Sequence, residues 1–132
     1  MGWYYLYDWK KRADAVADRT KGWEKDGATF ACVKHCYRGC PWQGVLWTVW
    51  QRKVNGVVVD SWIGCDLLTY DKKDRCWGYK PMEEGMHPYY YNCPLSYLEL
   101  VPVASEAWRI GVMAWHADRA SRKAEKHAIQ DS

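Results

Sequence analysis

The chain has 132 residues, a length suited to a single domain spanning 1–132 around one core, with residues 117–132 expected to project or fray. Nineteen basic and sixteen acidic residues give a net charge of +3 with the signs interspersed, which implies no general polyanion binder. Ten Trp and ten Tyr stand against one Phe; both favoured aromatics carry a polar atom that wants a hydrogen bond, a composition suited to half-buried surfaces and interfaces.

Met1-Gly2-Trp3-Tyr4-Tyr5-Leu6 lacks a basic start followed by an apolar run, and the apolar runs elsewhere are too short to span a bilayer. The expected location is therefore the cytoplasm, with no membrane partner. In that reducing compartment the six Cys are expected as free thiols.

Trp9, Ala13, Val16, Thr20 and Trp23 recur at helical spacing, with Asp8 placed as N-cap and Gly27 beyond the end. They predict a helix over 9–25 whose solvated face carries Lys10, Lys11, Asp14, Asp18 and Lys21. Residues 28–37 read as a strand closed by a turn at Gly39-Cys40-Pro41. Segments 45–54 and 57–68 flank Asn55-Gly56, a dipeptide that tolerates positive φ at both central positions of a type I′ turn. Counting outward from that turn pairs Val54 with Val57, Lys53 with Val58, Arg52 with Val59, Val49 with Trp62 and Thr48 with Ile63. Both faces of the hairpin then carry large apolar residues, so it should be central and covered, at least in part, on both sides.

The stretch Cys76 to Pro94 is crowded with aromatic and sulfur side chains and follows neither helical nor strand periodicity, which predicts a long ordered loop. Pro94 then suits the first turn of a short helix with Leu95 and Leu98. Ser105 is placed to cap a final helix in which Trp108, Val112 and Trp115 form an apolar stripe. The fold class is α+β: a small antiparallel sheet built on the hairpin 45–54/57–68, helices at both ends and an aromatic loop.

Zinc is the first site to weigh, because Cys32, Cys36 and Cys40 surround His35. On a strand, however, Cys32 and Cys36 lie about 13 Å apart, too far for one ion. Glu83, Glu84 and His87 could supply an acid and a base for hydrolysis or face a bound nucleotide. The run Pro81-Met82-Glu83-Glu84-Gly85 equally describes a capped helical turn, and no phosphate loop or nucleophile elbow occurs. Arg119, Arg122, Lys123 and Lys126 could follow a nucleic-acid backbone, although Asp118 and Glu125 dilute the stripe. No cofactor signature is present. Trp77, Tyr79, Lys80, Met82, Glu83, Glu84, Met86, His87, Tyr89 and Tyr90 match the make-up of a protein-binding hot spot, large rings and Met with charges among them.

The Met1-Gly2-Trp3 start, Gly78-Tyr79-Lys80, Met82-Glu83-Glu84 and the run Pro88 to Pro94 resemble an uncharacterised family of small proteins from bacterial plasmids, prophages and other mobile elements. The chain departs from the usual form at Pro81 and His87, where such proteins tend to carry an acidic residue and Gly. The resemblance brings no activity with it, but its context implies a non-enzymatic binding protein. The implied role is counter-defence, anti-CRISPR or anti-restriction, through contact with a host defence nuclease or its complex.

Overall fold

In the computed structural model the described residues are 9–82, 92–101 and 106–131, with backbone alone for Trp9 and 129–131. The chain divides into two compact units, Met1–Glu83 and Glu84–Ser132. The first holds helix α1 (Trp9–Arg19) and strands β1 (Trp23–Lys25), β2 (Ala28–Cys40), β3 (Gln43–Val54), β4 (Val57–Asp71) and β5 (Cys76–Pro81). The strands form one antiparallel sheet in sequential order, so the class is α+β. The second unit holds α2 (Leu95–Leu100) and α3 (Glu106–Asp131).

The helix expected over 9–25 ends six residues early. Thr20 turns its hydroxyl back to the Val16 carbonyl (2.9 Å), and Gly22 brings the chain so close to β2 that a Cβ there would meet the Phe30 carbonyl at 2.6 Å. Trp23 to Lys25 then form a strand, because Asp26 and Gly27 adopt φ of 52° and 78° and close a tight hairpin instead of capping a helix. Asn55 and Gly56 show the same pair of angles at the β3–β4 turn, as expected.

The counted register holds for two pairs and then slips. Val54 faces Val57 and Lys53 faces Val58, but Arg52 faces Asp60, Val49 faces Ile63 and Thr48 faces Gly64. Val59 is an extra residue in a β-bulge, and from there on every β4 side chain emerges on the face opposite to the one counting gives. A second bulge at Val33 shifts β2 against β3 in the same way. With both in place, one sheet face collects Tyr37, Leu46, Thr48, Trp50, Trp62, Asp66, Leu68, Tyr70, Trp77 and Tyr79. This face carries α1.

Residues Gly44 to Trp50 of β3 are buried without alternation, with Leu46, Trp47 and Val49 inaccessible to solvent. The hairpin is thus central in the sheet, and β3 is buried on both faces from Gly44 to Trp50, whereas its turn end is open, with Val57 to Asp60 exposed. The stretch 76–94 is not a continuous loop. Its first six residues form β5, pairing from Asp71↔Cys76 to Asp66↔Pro81, and Met82 extends the ladder by donating its amide to the Cys65 carbonyl (2.8 Å).

In the second unit, Pro94 sits at the N-cap of α2, and Tyr97, Leu98, Val101, Trp108 and Val112 are buried. Arg109 of α3 donates to the carbonyls of Leu98 (2.9 Å) and Val101 (3.2 Å), which satisfies the open end of α2. His116 donates from Nε2 to the Cys93 carbonyl (2.7 Å). Beyond it, residues 117–128 are exposed, yet the helix runs on to Asp131. No helix among the described residues is long and apolar enough to cross a membrane.

Gly56 has φ of 78° and open space where a Cβ would stand, so a side chain there strains the backbone alone. Gly56→Ala should therefore lower stability by about 1 kcal/mol, read as an earlier urea midpoint with an unchanged slope.

Candidate aromatic binding surfaces

The α1-bearing face holds two aromatic groups at opposite ends. Under the first turns of α1, Tyr70 and Trp77 tilt against each other (5.5 Å), Tyr37 meets Trp77 edge-on (6.5 Å), and the Arg12 guanidinium lies 4.5 Å from the Tyr37 ring and 5.9 Å from Trp77. Gly44 makes room for this, since a Cβ there would strike the Tyr37 ring. Burial pushes the Tyr37 phenol pKa upward, partly offset by Arg12, and its hydroxyl donates to the Cys40 carbonyl (3.0 Å). Trp77 is thus half-buried cover for the sheet.

At the other end, past the last turn of α1, Trp23 stacks on Phe30 (4.8 Å, 6° between planes) and tilts against Trp50 (5.3 Å), while Phe30 meets Trp62 edge-on (6.2 Å). Between these rings and the end of α1, Arg19 Nε donates to Asp66 Oδ2 (2.8 Å). Asp66 is 3% exposed, whereas the Arg19 side chain is 36% exposed and its guanidinium lies over the Tyr79 ring at 4.8 Å. The hydrogen bond to Asp66 raises the guanidinium pKa. Thr48 Oγ1 accepts from Trp50 Nε1 (2.9 Å), and Gly64 leaves space for that bond, because a Cβ there would meet Thr48 Oγ1 at 2.4 Å.

The residues singled out by sequence separate accordingly. Tyr79 and Lys80 lie on the outermost strand, and the run from Gly78 to Pro81 is exposed. Met82 is half-buried, its sulfur 3.9 Å from the Cys65 thiol. Glu83, Glu84, Met86, His87, Tyr89 and Tyr90 lie outside the described residues. Arg119, Arg122, Lys123 and Lys126 line one open concavity on α3 with His116. Arg122 pairs with Asp118 one turn back (3.0 Å) and Arg119 covers the Trp115 ring (5.1 Å), so two of these cations are engaged locally.

Cys32, Cys36 and Cys40 all lie on β2 as unbridged thiols, and burial pushes the Cys32 thiol pKa upward. Among the described residues no group of three or more His, Cys, Asp and Glu is placed to hold a metal ion. Sequence reasoning missed the group formed by Trp23, Phe30, Trp50, Trp62, Arg19 and Asp66. Its signal was Asp26-Gly27, which makes Trp23 a strand residue beside Phe30.

Comparison with protein-family models, curated proteins and solved structures finds no match to this chain.

The Arg19–Asp66 pair is asymmetric in burial, and its two halves should respond differently to mutation. Arg19→Ala strands a buried carboxylate and should cost about 2 kcal/mol, whereas Asp66→Asn keeps an acceptor beside a partly solvated guanidinium and should cost under about 1 kcal/mol. Urea denaturation of the two variants measures the difference.

Proposed function

We propose that the chain is a non-enzymatic binding protein that uses β5 and the segment after it, residues 77–90, as its contact surface. The observation that carries this reading is Tyr79. Its ring is 46% exposed on the last strand of the sheet, yet it is held against the Arg19 guanidinium at 4.8 Å. A ring fixed in place before binding loses little conformational freedom on docking, and an exposed Tyr beside a cation is typical hot-spot chemistry. Gly78 and Pro81 flank Tyr79 and Lys80 with little bulk, leaving the rim open to a partner.

The resemblance of the start and of the 78–94 region to proteins of mobile elements sets the class of partner. In our reading that partner is a host protein in the bacterial cytoplasm, a defence nuclease of a CRISPR or restriction system or its complex. The chain inhibits it by occupying its surface. Trp77, Met82, Glu83, Glu84, Met86, His87, Tyr89 and Tyr90 join the proposed contact set on their chemistry alone, large rings and Met with charges among them.

Mixing the purified protein with candidate host nucleases should yield a stable complex. Tyr79→Ala should weaken it by tenfold or more while leaving the unfolding free energy from urea denaturation within about 0.5 kcal/mol of the parent. A complex indifferent to both Tyr79→Ala and Lys80→Ala would remove β5 from the interface.

A further inference from the structure

The tryptophan-lined hollow past the end of α1 has the attributes of a small-molecule site. It is an open hollow of about 270 Å³ between the rings of Trp23, Trp50 and Trp62 and the Arg19–Asp66 pair. Pockets for drug-sized ligands begin near about 300 Å³, so this one takes a single ring system.

Its walls and its polar end restrict the chemistry of the occupant. Indole faces favour a flat π-system or a cation. A bare cation is disfavoured, because the Asp66 charge is already balanced by Arg19 at 2.8 Å. A bare anion is disfavoured by the same pair. What remains unspent among the described residues is hydrogen-bonding capacity. Asp66 accepts from Arg19 through Oδ2, so Oδ1 is a further acceptor on a side chain only 5% exposed. Arg19 is bound through Nε, and its terminal nitrogens are further donors. Thr48 lines the same hollow at 1% exposure; its oxygen accepts from Trp50 Nε1, which leaves its hydroxyl hydrogen to donate. Flat, neutral and presenting a donor beside an acceptor on one edge describes a nucleobase.

We propose that this hollow binds one nucleobase, with the ring against Trp23 and Trp50 and its hydrogen-bonding edge toward Asp66, Thr48 and Arg19. The hollow shares Arg19, Pro81 and Met82 with the contact surface proposed above, but nucleoside binding is read without any protein partner, so its failure and that of the docking proposal are separable. Two sources can present such a base, a free nucleoside or an unpaired base of a single strand, and the same titration tells them apart.

Full-length protein is titrated with adenosine, guanosine, cytidine and uridine and with four-nucleotide single strands. Binding is followed by calorimetry and by the indole N–H signals in NMR. The expected result is saturable binding of at least one nucleoside at one per chain, with a shift of the Trp50 indole N–H. Trp23→Ala should weaken that binding about tenfold, the scale of one lost base–aromatic stack. Should Trp23→Ala fail to fold, Trp23→Leu keeps bulk and removes the flat face, and reads the same loss. A strand that binds more tightly than its nucleoside, with both weakened by Trp23→Ala, assigns the base to a single strand. Equal affinities assign it to a free nucleoside. Absence of nucleoside binding at millimolar concentration overturns the proposal, as does strand binding that ignores Trp23→Ala. Tetramethylammonium shifting the Trp50 signal where no nucleoside does would overturn it in favour of a cation cage.

Discussion

The first unit depends on one strand that has no solvent face. From Gly44 to Trp50, every residue of β3 is buried, including Thr48, whose hydroxyl oxygen accepts from the Trp50 indole. A strand in that position cannot alternate apolar with polar, and its neighbours must supply apolar side chains on both sides. The bulges at Val33 and Val59 set which side chains of those neighbours share each face with it. Each inserts one residue into a strand flanking β3 and rephases everything beyond it. Without the one at Val59, Trp62 and Asp66 would leave the face that α1 covers, and neither the ion pair nor the tryptophan-lined hollow would form.

The same device explains what the sequence shows and what it hides. Asn55-Gly56 announces its hairpin because the turn chemistry is local, and continuous apolar character announces that the hairpin is central. Pro94 with Leu95 and Leu98, and the stripe of Trp108 and Val112, are legible for the same reason, since they rest on neighbours one to four residues away. A bulge leaves no such mark. Val57-Val58-Val59 is uniform in character, so nothing local says which of the three is skipped, and long-range pairing decides. Asp26-Gly27 was legible in principle, but the helical spacing of Trp9 to Trp23 competes with it. The competition is settled by Gly22, whose lack of a Cβ lets the chain lie against Phe30. The strand from Cys76 to Pro81 was hidden because Gly78 and Pro81 are poor strand formers. At an edge, pairing with β4 on one side overrides that preference.

On the face that carries α1, the Trp and Tyr side chains serve three uses. Tyr37, Tyr70 and Trp77 close the sheet beneath α1 with Arg12 against them. Trp23, Trp50 and Trp62 line a hollow whose polar end is an ion pair, with Phe30 stacked on Trp23 behind it. Tyr79 stands outside both, linked to the second by Arg19, which bonds Asp66 and covers the Tyr79 ring at once. One guanidinium therefore holds the inner and outer surfaces in fixed relation within the first unit. The polar atoms of these rings are what Phe would lack, and the Trp50–Thr48 bond shows one of them used in the core.

Amide hydrogen exchange at β3 tests the central claim most directly, because backbone buried on both sides exchanges only when the whole unit opens. The account predicts that the amides of Leu46, Trp47, Thr48 and Val49 share one slow rate equal to that of global unfolding, with β1 and β5 exchanging faster. Exchange of these four amides at edge-strand rates would contradict it.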